Sequence, residues 1–477
     1  MSTKLSEVMA ALPAESEVAE GLAQTPDLSA RLSERPIPVG RFRRLSALGT
    51  LQAKIGAAYL FYWLRGWFRN ADENKRLLAE AHWRNALRML DSMGYLRGAV
   101  MKIGQTLANF PDIAPREFVE TLEKLHSDAP PMHWSLLREM VRNELGDDPE
   151  QLFAHFDKRA FAAASLGQVH RAQIKGGEDV AVKIQYPGIA RAIEADFRNL
   201  FLFLLPARLG RDWENAKDQL DDLQRRLATE TDYALEADNL RKARALFRPE
   251  DGIVVPSVYP EFSTGRVLTT ELLEGVHLRE FMARHPSQSE RNALAIKVLR
   301  TWYRLMYAGR IIYVDFHPGN FLVLPDGRLG VLDFGFMLPL EGEEWEMFRE
   351  MDRPLTTGGQ AERMAVLKKW CQIRDDETDR LRLTDEFVDW DWRARHRGQP
   401  FDFGDETDFR LGINLFTEML RKRYSRGRPD SASILRGTLA MRSTMYLLKA
   451  QVDVAALAEQ EVRATGWDRS DYAAAAL

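Results

Sequence analysis

An α+β chain is predicted, with a helical N-terminal region, a sheet-bearing middle and a mostly helical C-terminal lobe. Three observations carry this: helical spacing of apolar residues from Leu45 to about Leu145, alternating β-like runs around Lys183, and mostly helical patterning from Glu341 on. At 477 residues the chain exceeds one small core, so two or three folded units are expected. Residues 1–40, rich in Ser, Glu, Ala and Pro, read as a flexible leader. The helical region is placed at 41–145, a sheet-bearing lobe with inserted helices at 146–275, and a helical lobe at 276–477.

Each element has a local reason. Gly167–Ile174 and Asp179–Gln185 alternate and are separated by Gly176-Gly177, so they form a hairpin. Helical pattern resumes over Gly188–Leu246, broken at Pro206, before a β-like pair at Ile253–Val258 and Arg266–Glu271. A helix over Ser289–Tyr307 leads to Phe321–Leu324 and Leu329–Leu332, short apolar strands on either side of the turn Pro325-Asp326-Gly327.

The 66 basic residues are offset by 70 acidic ones, and the resulting net charge of -4 argues against a nucleic-acid partner. The lone cysteine, Cys371, has no partner for a disulfide, which fits a reducing compartment. Met1–Gln24 lacks the basic and apolar regions of a secretory signal. The apolar stretches Ile55–Leu64 and Leu200–Pro206 fall short of the roughly 20 residues that cross a bilayer as helix. A cytoplasmic protein with at most peripheral contact at the inner face of a membrane is expected. Leu48–Phe68, with Leu51, Ile55, Trp67 and Phe68 mainly on one side, either makes that contact or packs against the protein itself.

The chemistry concentrates in a few residues. Lys183, in Val180-Ala181-Val182-Lys183-Ile184, is a point charge on a strand and can grip phosphates. Asp315 and Asn320 stand five positions apart, and Asp333-Phe334-Gly335 follows the second hairpin. Their order and spacing match a kinase-type phosphoryl-transfer site, in which one Asp lies near the acceptor while Asn and a second Asp hold magnesium on the phosphates. Glu236, in a helical stretch, is the carboxylate expected to pair with Lys183, whereas Glu230 and Asp232 also fit as solvated helix charges. Ala162-Ala163-Ala164-Ser165 stands where an ordinary kinase has phosphate-covering glycines. Either the extra Cβ atoms keep the backbone farther from phosphate, or the run is a plain helix start.

From about Leu96 to Met337 the chain resembles the UbiB family of atypical kinase-like proteins, whose fold is a two-lobed protein-kinase-like one with an N-terminal helical extension. The most specific element is Lys102-Ile103-Gly104-Gln105, continuing through Pro111-Asp112, Pro115 and Asp128-Ala129-Pro130-Pro131, which looks like the family's lysine-glycine-glutamine motif. The resemblance implies that Lys102 and Gln105 occlude the place where a kinase admits peptide, with Glu230 and Asp232 as an acidic motif near Lys102. It makes Lys183 and Glu236 the ion pair, puts Asp315 in the catalytic loop and gives metal to Asn320 and Asp333. Ala162, Ala163, Ala164, Ser165, Lys183 and Glu271 fall to the nucleotide.

ATP or ADP with Mg2+ is the implied cofactor set, and a quinone precursor or isoprenoid lipid and biosynthetic enzymes are the implied partners. The implied activity is ATP hydrolysis serving ubiquinone or isoprenoid-lipid metabolism. Phosphate transfer to a small molecule or protein, and a non-catalytic nucleotide-binding scaffold, stay open. The chain departs from the family at Tyr313-Val314-Asp315-Phe316, where many relatives show His-Ala-Asp-Pro. It also departs at Arg159-Ala160-Phe161, where a proline is common, and at Trp467–Leu477, where the bacterial ubiquinone accessory protein has membrane spans.

Overall fold

The structure is a computed structural model, and it describes residues 134–164, 166–190, 228–356, 358–395, 400–422, 424 and 431–467. The expected leader, the residues up to 133 expected to be helical, with Lys102, Gln105 and Leu48–Phe68, Ser165, and residues 191–227 lie outside the described residues. The chain divides into two compact units, and the elements below belong to the second, which comprises Asn109–Pro115, His133–Tyr186 and Glu214–Leu477.

The first lobe is built on an antiparallel sheet in the order β1 (His155–Phe156), β3 (Gly167–Gln173), β4 (Asp179–Gln185) and β6 (Val267–Glu271), with β2 (Ala162–Ala164) pairing β3 beyond the end of β1. The β3–β4 hairpin forms as its alternation demands. Val180, Val182 and Ile184 are fully buried on one face of β4, and Gly177 takes the left-handed turn position at φ +98°. Helix α1 (Trp134–Leu145) buries Leu137 and Val141, and its Glu144 accepts from Thr264 at 2.8 Å and from Arg266 at 3.1 Å, so residues 134–145 pack as part of this lobe. Helix α2 (Tyr233–Leu246) packs beneath β6.

The expected pair at Ile253–Val258 and Arg266–Glu271 is corrected. Val267–Glu271 is a strand on β4, whereas β5 (Ile253–Val254) pairs in parallel with β10 (Leu329–Val331) in a different sheet. A single antiparallel bridge, Val258 to Thr270, joins the two stretches. Pro256 has no N–H to donate, so a ladder started at Ile253 cannot continue through it.

The second lobe is organised around α4 (Gln288–Tyr307), which follows β7 (Val276–His277) and the short α3 (Leu278–Ala283). Ser287 and Glu290 close a capping box at its start, and Leu294, Val298, Leu299 and Leu305 bury one face. Then β8 (Ile311–Tyr313) pairs with β11 (Met337–Pro339), and the hairpin of β9 (Phe321–Val323) with β10 turns at Gly327, φ +79°. The rest is helical, as the patterning predicts: α5 (Glu343–Thr356), α6 (Gln360–Trp370), α7 (Thr378–Trp392), α8 (Glu406–Lys422), α9 (Ser431–Leu448) and α10 (Val454–Ala464). Among the described residues only the small ribbon of β12 (Phe401–Asp402) with β13 (Gln451–Val452) interrupts it. A buried charge network docks α10 on α4: Glu461 accepts from Arg300 at 3.0 Å and from Arg304 at 2.6 Å, and Arg304 also reaches Asp251 at 2.6 Å.

Candidate active site

The site is assembled from four separate stretches. Lys183 lies in β4, between Val169 of β3 and Leu268 of β6, so the ammonium is carried by a central strand. Its Nζ donates to both Glu236 oxygens, at 2.7 and 2.8 Å, and lies 3.7 Å from Asp333 Oδ2 and 4.9 Å from the centre of the Tyr233 ring. Burial works against the charge on Lys183, but Glu236 and Asp333 outweigh it and hold the ammonium above the ordinary lysine range. Burial pushes Glu236 up to about 7, against the pull of Lys183 and with the charge of Asp333 adding to the rise. One cation is thus shared between two carboxylates, one deeply buried and one still partly open to solvent.

Helix α2 supplies more than Glu236. Its start is fixed by Asp232, whose side chain accepts from Ala234 N at 3.0 Å and Leu235 N at 3.2 Å. In the structure Asp232 is therefore a helix cap. Glu230 lies half-buried in the helical turn just before it. One turn beyond Glu236, buried Asn239 donates to the backbone carbonyl of Phe334 at 2.9 Å. The spacing of three residues puts Glu236 and Asn239 on neighbouring positions of one face. A single helix therefore orients Lys183 and anchors the Asp333-Phe334-Gly335 turn. Asn239 carries no local sequence signal, and the sequence reading missed it.

Asp333 Oδ1 accepts from Gly335 N at 2.7 Å, which turns the carboxylate back over its own loop. The hydroxyl of Tyr313 donates to the Asp333 carbonyl, and its ring stacks on Phe334 with centroids 5.3 Å apart. Burial raises Tyr313 well above its usual range, so the hydroxyl stays a donor. Tyr313 therefore ties the segment leading into Asp315 to the Asp333 turn. Asn320 Nδ2 donates to the Asp315 carbonyl at 2.8 Å. Because that partner is an acceptor, the amide nitrogen must face it, which makes Oδ1 the acceptor end of Asn320. Phe316, fully buried after Asp315, stands edge-on to Trp302 at 5.2 Å and pins the loop to α4.

Ala162, Ala163 and Ala164 form strand rather than a helix start, with Ala162 paired to Val169 and Val169 in turn paired to Lys183. The alanine-rich stretch and the lysine thus share one rung of the sheet, two strands apart. Gly167 closes the turn where a Cβ would run into the Ile184 carbonyl, so this position does need glycine. Glu271 ends β6, but its carboxylate is taken up by Ser257, at 3.2 Å to N and 3.1 Å to Oγ, with Arg244 at 3.8 Å.

No group of three or more His, Cys, Asp or Glu poised for a metal occurs among the described residues. Asp333 and Asn320 offer two oxygen donors, a set that suits magnesium, which keeps water and phosphate oxygens in its remaining positions.

The fold and the arrangement of Lys183, Glu236, Asp315, Asn320 and Asp333 define a protein-kinase-like protein. The model of the ABC1 atypical kinase-like domain matches residues 124–358, and the chain belongs to this UbiB/AarF family of atypical kinase-like proteins. Among curated relatives it is 34% identical over 322 residues to the mitochondrial atypical kinase COQ8B of Rattus norvegicus, covering 66% of this chain and 60% of that one. It is 28% identical over 432 residues to COQ8B of Danio rerio, covering 86% and 66%. The chain thus spans about half to two thirds of the length of the curated relatives it matches. Among solved structures, the complex of Rv3197 with erythromycin from Mycobacterium tuberculosis superposes with a TM-score of 0.52 at 25% identity, covering 82% of this chain and 99% of that one.

Proposed function

We propose that this protein binds ATP with magnesium and hydrolyses it in support of ubiquinone or isoprenoid-lipid metabolism at a membrane surface. The observation that carries the reading is the placement of Lys183 Nζ at 2.7 Å from Glu236 and 3.7 Å from Asp333. An ionised, oriented ammonium beside a carboxylate turn is what a nucleotide's phosphates require. Relatives named as mitochondrial atypical kinases support the pathway assignment. Among the described residues no helix is long and apolar enough to cross a membrane.

Each residue has a defined task in this reading. Glu236 keeps Lys183 extended along β4 toward the phosphates. Asn239 and Tyr313 hold the Asp333 turn against α2 and the catalytic loop. Asp315, on a loop pinned by Asn320 and Phe316, positions the attacking hydroxyl or water. Magnesium, held by Asp333 and Asn320, would neutralise charge on the transferred phosphoryl group. The resemblance of Lys102-Ile103-Gly104-Gln105 to the family's lysine-glycine-glutamine motif favours water over a peptide as the acceptor.

The test is magnesium-dependent phosphate release by the full chain and by Asp333→Asn, with and without anionic liposomes. Turnover that needs Asp333 and rises on liposomes is expected. Phosphate appearing on an added small molecule in place of free phosphate would convert the reading to a phosphotransferase. Nucleotide binding without either outcome would make the protein a scaffold and overturn the hydrolase reading.

A further inference from the structure

The helical lobe carries a partly open cavity whose lining shares no residue with the Lys183–Asp333 site. It holds about 140 Å³ of free space, comparable with an engineered apolar cavity of roughly 150 Å³ that stays dry and takes benzene. Its walls are mainly apolar and aromatic, with Trp302, Tyr303 and Met306 from α4, Phe387 from α7 and Met441 from α9. Two charged side chains are set into them, Asp391 at the end of α7 and Arg395 just after it.

Both are incompletely satisfied. Asp391 Oδ1 is sealed from solvent and has no hydrogen-bond partner, and the same is true of Arg395 Nε. The guanidiniums that act on Asp391, those of Arg442 and Arg395, are engaged elsewhere: Arg442 with Asp408 at 2.5 Å, Arg395 with the Tyr307 hydroxyl at 2.6 Å and Asp352 at 3.2 Å. Burial accordingly pushes Asp391 up to about 6. Unpaired buried donors and acceptors are costly, and native structures rarely keep them.

The chemistry of an occupant follows by elimination. A hydrocarbon would leave both groups unpaired. An ammonium would meet the Arg395 guanidinium, and a carboxylate would meet Asp391. A neutral hydroxyl both donates and accepts, so it can serve the Asp391 carboxylate and the Arg395 guanidinium at once. We propose that this cavity is a binding site for an uncharged, ring-sized apolar molecule bearing one hydroxyl, received by Asp391 and Arg395. The site lies directly behind the catalytic loop. Ile312 and Trp302 line it, Ile312 precedes Tyr313 in β8, and Trp302 supports Phe316.

Ligand-observed NMR on the full chain tests this, with benzyl alcohol, toluene and benzylammonium as probes. Benzyl alcohol is expected to bind at least about tenfold more tightly than toluene, a difference of roughly 1.4 kcal/mol, and benzylammonium more weakly than either. Asp391→Leu should erase the preference of alcohol over toluene. Leu435→Trp, which fills the cavity from α9, should abolish binding of both, with folding of each variant checked by its melting transition. Toluene matching benzyl alcohol in the wild type, alcohol binding that survives Leu435→Trp, or no binding of any probe at millimolar concentration would overturn the proposal. None of these readouts depends on ATP turnover.

Discussion

Asn239 donates across 95 residues of sequence to the carbonyl of Phe334, at 2.9 Å, from the same face of α2 that presents Glu236 to Lys183. This bond ties the position of the Asp333 carboxylate to the helix that orients the lysine. Asn239→Ala leaves a buried carbonyl unpaired and is expected to cost about 1–3 kcal/mol of stability, read by urea unfolding. It should also lower magnesium-dependent turnover roughly tenfold to a hundredfold, because the turn bearing Asp333 loses its register. Lost stability with unchanged turnover would show that the bond is only structural.

The Lys183–Glu236 pair should reveal itself through non-additivity. Lys183→Met leaves Glu236 buried, without its cation and near Asp333, and breaking a buried pair in this way costs about 3–5 kcal/mol. Adding Glu236→Leu removes the stranded carboxylate and should recover most of that loss while nucleotide binding stays impaired. Urea midpoints of the single and double variants supply the cycle. A double variant destabilised by the sum of the two singles would mean the residues do not act as a pair.

What could be read from the sequence was what is local. Val180–Ile184 alternates within one strand, Pro325-Asp326-Gly327 announces its own turn, and Asp315, Asn320 and Asp333 keep their spacing along the chain. All three appear in the structure as strand, hairpin and loop. The partner choice of Ile253–Val254 was not legible, because a parallel rung with Leu329–Gly330 is decided by a hairpin some 75 residues later. Asn239 escaped for the same reason, since an asparagine inside a helix looks ordinary until the fold brings Phe334 against it, and Tyr313 was visible as a departure from a family motif but not as the tether of the Asp333 carbonyl.

Tyr313 offers a narrower test of the catalytic loop. Tyr313→Phe keeps the stack on Phe334 but deletes the hydroxyl that donates to the Asp333 carbonyl and accepts from Asn320 Nδ2 at 3.4 Å. About 1–2 kcal/mol of stability should be lost. Because both proposed magnesium ligands are loosened, half-maximal turnover should require more magnesium, with a smaller change at saturation. An unchanged magnesium dependence would separate Tyr313 from the metal ligands.

Asp391 makes a prediction about pH. Burial raises its carboxyl from the ordinary 3.8 to about 6, partly opposed by Arg442 and Arg395, and the Tyr303 phenol also lies in its field. A carboxyl whose folded value exceeds its unfolded one binds more protons in the native state across the interval between them. Its contribution to stability is therefore largest below about pH 4 and is lost as pH rises through 6, by up to roughly 3 kcal/mol. Asp391→Asn cannot titrate, so the stability difference between variant and wild type should move in the variant's favour from pH 4 to pH 7 and flatten above. Paired urea unfolding curves across that range measure it. A difference that is flat with pH, or that moves toward the wild type, would mean that the Asp391 carboxylate is solvated or paired in the folded protein.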